Sequence, residues 1–173
     1  MEVIGYGVIL RRLTIDKIEM VRNWRNDPKI SQYALSQEYI TPEMQLKWFN
    51  KINNDSNSYS IIEYNNEEIG LTAIKDIDRE KKCGETSVYI YEDKYLNSDV
   101  PFRVSFCGLD FTFGELNLDY VYGRIVSDNK RAIRYDKAIG ADIKISEDGK
   151  DTSFILTKEN YYTQRDKYVR FLI

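Results

Sequence analysis

The segment Asn129–Gly140 reads NKRAIRYDKAIG and carries more information about the architecture than any other part of the chain. Asparagine is favoured just before the first turn of a helix and glycine just after the last, so the segment predicts a helix from 129 to 139 that ends at Gly140. A plain amphipathic helix requires neither an asparagine at its start nor a tyrosine six residues later. Asn129 and Tyr135 are therefore candidates for function as well as for structure.

The composition of the whole chain predicts one folded domain over residues 1–173. Of the 173 residues, 42% are hydrophobic and 31% are charged, which is enough apolar material for a substantial core. The net charge of −3 argues against a protein that binds nucleic acid through its phosphates. Because we find no long apolar run, no N-terminal signal and only two cysteines, we expect a cytoplasmic protein without a membrane span.

Histidine is absent from the chain, and this excludes several classes of site. A Ser-His-Asp or Cys-His catalytic system cannot be built, and neither can a zinc site that contains histidine. Two separate cysteines cannot supply a four-thiolate site either, so we expect no bound metal. Any acid–base chemistry must use tyrosine, carboxylate, lysine, thiol or backbone groups.

Around the 129–140 helix, β-rich runs alternate with helical patterns. We expect strands near 8–10, 59–64, 69–74, 86–91, 119–126, 143–146 and 152–156, and further helices near 14–26, 41–52, 100–113 and 158–173. In the helix from Thr41, the residues Leu46, Phe49 and Ile52 form the expected apolar stripe. This order predicts an α/β or α+β sandwich with a mixed sheet of about seven strands. A Rossmann domain is excluded because no glycine-rich strand–turn–helix fingerprint is present.

Three stretches of the sequence resemble the GNAT superfamily of acyl-CoA N-acyltransferases. The first pairs RNWRND at 22–27 with QLKWF at 45–49, the second comprises Ile69-Gly70, DID at 76–78 and ETSVYI at 85–90, and the third is the 129–140 segment itself. The likeness runs in order over residues 8–157. Within the superfamily, the sequence is similar to the branch that acetylates nucleotide-linked amino sugars, and also to the ribosomal-protein N-terminal acetyltransferases.

The resemblance implies a fold and a chemistry. The sheet is expected to be mostly antiparallel, with one strand, 86–91 here, splayed from its neighbour so that acetyl-CoA adds beside it. Backbone N–H groups near Val88, Tyr89 and Ile90 would bind the pantetheine arm. Tyr135 would protonate the departing thiolate, because a phenol with a pKa of about 10 keeps its proton at pH 7.

The remaining site residues also follow from the resemblance. Glu85 is expected to receive the amine proton, while Asn129 either bonds the pantetheine or only caps its helix. Trp24, Arg25 and Trp48 are expected to contact the acceptor. The loop before the helix at 100–113 would hold the CoA pyrophosphate, and its binding residues would be Lys94, Asn97, Ser98 and Val100.

This loop departs from the family pattern, in which glycines let the backbone approach the phosphates. Here residues 94–101 read KYLNSDVP, so both glycines are absent and Asp99 puts a carboxylate near the expected phosphate. Two unit charges about 6 Å apart at a dielectric constant of about 20 repel by roughly 3 kcal/mol. Lys94, Arg103 or Lys130 would offset part of this repulsion.

Three functions remain open from the sequence. The first is an N-acetyltransferase that uses acetyl-CoA and a small-molecule amine, namely a nucleotide-linked amino sugar. The second is a binding subunit of the same fold that no longer catalyses, and the third is a protein N-terminal acetyltransferase. The tyrosines of the last helix suit either internal packing or the face of a homodimer.

Overall fold

The computed structural model describes residues 2–149 and 151–172. Its strands β1–β8 span Glu2–Gly5, Val8–Arg12, Ser58–Tyr64, Glu67–Asp78, Cys83–Ile90, Tyr120–Val126, Asp142–Ile145 and Asp151–Thr157. Its helices α1–α6 span Ile18–Asn26, Pro28–Ser31, Pro42–Ile52, Val100–Gly114, Lys130–Ala138 and Lys158–Tyr168. The strands form one sheet in the order β1-β2-β3-β4-β5-β6-β8-β7. Only β5 and β6 are parallel among the described strands, so the mostly antiparallel mixed sheet is confirmed.

The sheet has eight described strands instead of the expected seven because β1 was not predicted. β1 pairs with β2 through a tight turn at Tyr6 and Gly7, whose φ angles are 55° and 76°. Its four residues are only exposed or half-buried. Such a short edge strand lacks the apolar alternation that reveals a strand in a sequence.

Helices cover both faces of the sheet. Ile61 and Ile62 are neighbours on β3, so their side chains point to opposite faces. Ile61 packs with residues of α1 and α3, whereas Ile62 packs with Val100 and Val104 of α4. Helices α5 and α6 lie on the α4 face, because Ile139 and Tyr161 share a core cluster with Phe106 of α4.

The start of α3 is as predicted, and so is its apolar stripe at Phe49 and Ile52, but not at Leu46. Thr41 accepts a hydrogen bond from the Met44 N–H at 3.3 Å, and Pro42 is the first helical residue. Phe49 is buried, whereas Leu46 is 44% exposed and Gln45 is only 3% exposed. The reason is that the Gln45 amide donates to the Ile18 carbonyl of α1 at 2.8 Å, which turns this face of α3 toward α1.

The last helix is shorter than the expected span of 158–173. Helix α6 ends at Tyr168, and a 3₁₀ turn over Val169–Phe171 follows it. Ile173 lies outside the described residues. Among the helices of the described ranges, none combines the length and the apolar character needed to cross a bilayer.

Candidate active site

The centre of the sheet contains a gap between two adjacent strands. β5 and β6 are paired only over Cys83–Glu85 and Tyr120–Tyr122, after which β5 continues along β4 and β6 along β8. Gly123 lies where the strands separate. A Cβ there would come within 2.6 Å of the Phe154 ring and 3.1 Å of the Thr86 carbonyl oxygen. Glycine therefore permits the close packing at the point of divergence.

The backbone groups of Val88 and Ile90 face this gap. The Tyr91 N–H donates to the Ile69 carbonyl on β4 at 2.7 Å. Hydrogen-bonded and non-hydrogen-bonded pairs alternate along an antiparallel ladder. The backbone of Tyr89 is therefore hydrogen-bonded to that of Leu71, whereas the backbone N–H and C=O groups of Val88 and Ile90 point away from β4. Of the three predicted N–H donors, two are thus oriented toward a ligand in the gap, and that of Tyr89 belongs to the sheet.

A cavity of about 1100 Å³ passes through the gap and reaches both faces of the sheet. On the α1 and α3 face, its wall includes Arg25, Trp48 and Tyr89. On the α4 and α5 face, the wall includes Tyr135 and Asp136. After the roles expected from the sequence, the first of these two halves is called the acceptor end, and the second the donor end.

Glu85 lies in the wall at the point where the strands diverge. Its Oε1 is 2.7 Å from the Lys75 Nζ, and each side chain keeps about a quarter of its surface exposed, 24% and 27%. The predicted proton acceptor is therefore at the expected place, and its charge is balanced by a lysine from β4.

Tyr135 lies in the wall of the donor end, on α5. Its hydroxyl donates to the Pro101 carbonyl oxygen at 2.7 Å, and its ring packs against Phe102 with centroids 5.0 Å apart. Burial raises the pKa of the phenol above its ordinary value. The phenol thus keeps its proton at pH 7, but the proton is directed at the first turn of α4.

Asp136 is a wall residue that the sequence analysis did not select. Its carboxyl group makes no hydrogen bond or ion pair with the described residues, and burial raises its pKa to about 7. A signal for it was present in the sequence: Asp136 lies four residues after Ala132 and three before Ile139, on the apolar stripe of α5. An acid at such a position is unusual unless it has a function.

Asn129 and nearby cations lie where α5 borders the donor end. The Asn129 Oδ1 accepts a hydrogen bond from the Ala132 N–H at 3.1 Å, so the capping role is present, and the pantetheine contact stays a prediction. Arg124, Arg131 and Arg134 also belong to the wall. A phosphate-bearing ligand would find positive charge here.

At the acceptor end, two buried polar atoms lack a partner among the described residues: Arg25 Nε and the Tyr89 hydroxyl oxygen. Both residues line the cavity, and burial raises the pKa of Tyr89. Trp48 is in the wall too and packs edge-on against Tyr59. Trp24 is not in the wall, because it is only 7% exposed and its ring is packed between those of Tyr89 and Tyr91.

The loop that was expected to bind pyrophosphate has its four predicted residues outside the cavity wall. Lys94 pairs with Glu67 at 2.5 Å, and Asn97 is exposed. The Ser98 hydroxyl accepts the Val100 N–H at 3.2 Å, while the Val100 side chain is buried in the core. Their contact with CoA stays a prediction.

The carboxylate of Asp99 is compensated by its own helix. The Arg103 Nε donates to the Asp99 Oδ2 at 2.8 Å, one helical turn away. The same guanidinium donates to the carbonyls of Tyr6 and Leu172, at 3.0 and 2.8 Å. This ion pair reduces the repulsion that an isolated carboxylate would exert on a phosphate.

A comparison with protein families matches residues 8–142, well over half of the chain, to the acetyltransferase (GNAT) domain. The chain belongs to the GNAT family. A comparison with curated proteins finds none that matches the chain in sequence.

Solved structures of other proteins share this fold. The spermidine N-acetyltransferase of Vibrio cholerae, in complex with CoA and spermine, has a TM-score of 0.80 at 18% identity over 90% of this chain and 98% of its own. Apo FdhC, described as a nucleotide-linked sugar GNAT, has a TM-score of 0.80 at 21% identity over 100% and 99%. A domain from Methanocaldococcus jannaschii has a TM-score of 0.75 at 17% identity over 87% and 97%.

As a GNAT acetyltransferase, the chain is an enzyme that moves an acetyl group from acetyl-CoA to an amine. The structure fits this donor, because the gap offers backbone groups of Val88 and Ile90 and the donor end offers arginines for phosphates. Acetyl-CoA supplies a thioester carbonyl that an amine can attack. The chain's own groups have to orient that carbonyl and move protons.

Proposed function

We propose that the acceptor of this GNAT enzyme is the primary amine of a nucleotide-linked amino sugar. The observation that carries the proposal is the pair of buried atoms Arg25 Nε and the Tyr89 hydroxyl oxygen, which have no partner among the described residues and whose side chains lie in the wall of the acceptor end. A guanidinium binds phosphate through charge-assisted hydrogen bonds. A nucleotide-linked sugar brings such phosphates, together with hydroxyls that can bond to Tyr89.

The charges of the acceptor end favour this anionic acceptor over a polyamine. A polycation requires carboxylates whose charge is not already balanced. The two carboxylates of this wall are paired, Glu85 with Lys75 at 2.7 Å and Asp93 with Lys29 at 3.7 Å. Arg25 then leaves the acceptor end with uncompensated positive charge. The likeness to the nucleotide-linked sugar GNAT, which spans both chains almost completely, also supports the proposal.

In the proposed mechanism, the N–H groups of Val88 and Ile90 hold the pantetheine arm as an added strand. The amine attacks the thioester carbonyl directly, and Glu85 receives the amine proton while Lys75 stabilises its charged form. The resemblance assigns protonation of the thiolate to Tyr135. Its bond to Pro101 competes with that role.

The test is a turnover assay with acetyl-CoA and a panel of nucleotide-linked 3-amino and 4-amino sugars, spermidine and a peptide with a free N-terminus. We expect thiol release with at least one nucleotide-linked amino sugar. In Arg25→Gln, KM for this acceptor should rise about 10- to 100-fold, as the loss of a hydrogen bond to a charged group predicts, while KM for acetyl-CoA stays unchanged.

Lys47→Gln is the matched control, because it removes the same charge from an exposed position on α3. It should leave both KM values as they are. Acetylation of spermidine or of the peptide, with no turnover of any sugar nucleotide, would overturn the proposed acceptor.

A further inference from the structure

We infer that Asp136, rather than Tyr135, gives its proton to the departing thiolate of coenzyme A. The inference rests on the acetyl transfer of the proposed function, but not on which amine accepts the acetyl group. Four features of the described structure support it. They are the place of Asp136 in the cavity, its lack of partners, its position in the helix, and the hydrogen bond that the Tyr135 hydroxyl already donates to Pro101.

The first two features concern access. Asp136 lines the donor end of the cavity that passes between β5 and β6. Its carboxyl group has no hydrogen bond or ion pair among the described residues. Asp136 is half-buried and its carboxyl oxygens are not among the enclosed atoms that lack a partner, so the group is open to the cavity and free to meet a ligand that enters it.

The third feature is the position of Asp136 in the last turn of α5. The Ala141 N–H donates to the Asp136 carbonyl at 2.9 Å, and Gly140 follows with a φ of 102°. Carbonyls at a helix C-terminus give that end a partial negative charge, which disfavours a carboxylate and favours a neutral acid. Together with burial, this keeps a proton on Asp136 near neutral pH, in agreement with a pKa of about 7.

The charged groups around Asp136 do not change this result. On its own helix, Lys130, Arg131 and Arg134 line the cavity, and Arg124 of β6 and Asp128 do so as well. None of them contributes to the raised pKa of Asp136, whose cause is burial. The wall residues from α4 and β8 carry no charge, and among the described residues β7 contributes none to the wall. The pKa of Tyr135 is raised mainly by burial, and the negative charge of the Asp136 carboxylate raises it further.

The fourth feature concerns Tyr135. Its hydroxyl donates its single proton to the Pro101 carbonyl at 2.7 Å. To protonate a sulfur, the phenol would first have to break this bond. The carboxyl of Asp136 has no such bond to break.

The amine nitrogen forms a bond to the acetyl carbonyl carbon, and the carbon–sulfur bond breaks with its electron pair on sulfur. Asp136 gives its proton to that sulfur and becomes a carboxylate. The nitrogen loses one proton to Glu85 or to solvent, and solvent returns a proton to Asp136.

The activity test compares Asp136→Asn with Tyr135→Phe, using the best acceptor of the panel. Asp136→Asn should lower kcat about 10²- to 10³-fold, as expected for loss of a general acid, and the loss in Tyr135→Phe should be clearly smaller than that in Asp136→Asn. Calorimetry should show CoA binding unchanged in both variants. Near-normal kcat in Asp136→Asn, or the large loss in Tyr135→Phe alone, would overturn the inference.

A second measurement needs no acceptor. In a ¹³C NMR titration, the carboxyl signal that is missing from Asp136→Asn should titrate near pH 7, and saturating CoA should shift its pKa. A signal that titrates near pH 4, or that CoA leaves unmoved, refutes the inference even if the enzyme is active. The wild-type enzyme could acetylate no amine of the panel while CoA still shifts the pKa of the Asp136 signal. That result would refute the proposed acceptor and support the placement of Asp136 beside CoA.

Discussion

At the scale of single residues, the carboxyl group of Asp136 affects folding as well as chemistry. Its pKa in the folded protein is raised to about 7, compared with about 3.9 for an aspartate in an unfolded chain. Between these values the folded protein holds a proton that the unfolded chain releases. The contribution of Asp136 to the free energy of unfolding is therefore fully present below about pH 4. It is lost as the pH rises through about 7.

Asp136→Asn should consequently gain stability over wild type as the pH rises. The asparagine is neutral at every pH, so its advantage in the free energy of unfolding should grow by roughly 1–3 kcal/mol between pH 5 and pH 8. Urea unfolding at both pH values measures the difference. Asp119→Asn, at an exposed aspartate, serves as control and should show no such trend. A difference that is constant with pH would show that Asp136 is not buried as an acid.

How far the sequence predicts the site also depends on individual residues. Glu85, Arg25, Trp48 and Tyr135 were selected in advance, and the structure brings all four to one cavity. Trp24 was selected as well, but it belongs to the core because aromatic rings cover it on both sides. A sequence pattern places a residue on a helix face but does not tell whether a neighbouring side chain separates it from the cavity.

At the scale of elements, the junction between α5 and α6 depends on one glycine. Gly140 ends α5 with a φ of 102°, and its N–H donates to the Lys137 carbonyl at 3.1 Å. A Cβ at this position would lie 2.8 Å from the Asn160 carbonyl oxygen of α6. Both the backbone angle and the space therefore require glycine.

Gly140→Ala should lower the free energy of unfolding by about 2–4 kcal/mol, from backbone strain and from the displacement of α6. Gly149→Ala is the matched control: its φ is 71°, but a Cβ there would meet nothing within 4 Å. It should cost only about 1 kcal/mol, the strain of the left-handed conformation. Equal losses in chemical denaturation would show that the contact with α6 is unimportant.

Most helices and strands were predictable because their signals are local. Asn129 caps α5, Thr41 caps α3, and Asn65-Asn66 adopt the positive φ angles of a tight hairpin turn. The pairing of strands was not predictable in the same way. The separation of β5 from β6 after Glu85 depends on contacts between residues far apart in sequence, and only the likeness to a known family indicated it.

At the scale of the whole molecule, one polar cluster joins three distant parts of the chain. Asp110 of α4 accepts hydrogen bonds from the Tyr6 hydroxyl at 2.5 Å and the Tyr161 hydroxyl at 2.8 Å. The Arg165 Nε lies 3.0 Å from the Asp110 Oδ1. The first turn of the chain, the central helix and the last helix thus meet at a single carboxylate.

Asp110→Ala should destabilise the protein by about 2–4 kcal/mol, because it removes the carboxylate that two hydroxyls and a guanidinium share. Asp119→Ala removes an exposed carboxylate that forms an ion pair with Lys82 at 3.9 Å, and it should cost under about 0.5 kcal/mol. Thermal unfolding of both variants measures the contrast. A loss for Asp110→Ala as small as for the control would show that the cluster does not hold these elements together.

The passage between β5 and β6 has a consequence for kinetic order. Its wall includes exposed residues on opposite sides of the sheet, such as Leu35 at one opening and Arg131 at the other. With the two ends assigned as proposed above, we expect donor and acceptor to enter from opposite sides of the sheet, so that neither has to leave before the other is admitted. Such an enzyme can bind the two reactants in either order to form a ternary complex. It does not need a covalent acetyl-enzyme intermediate.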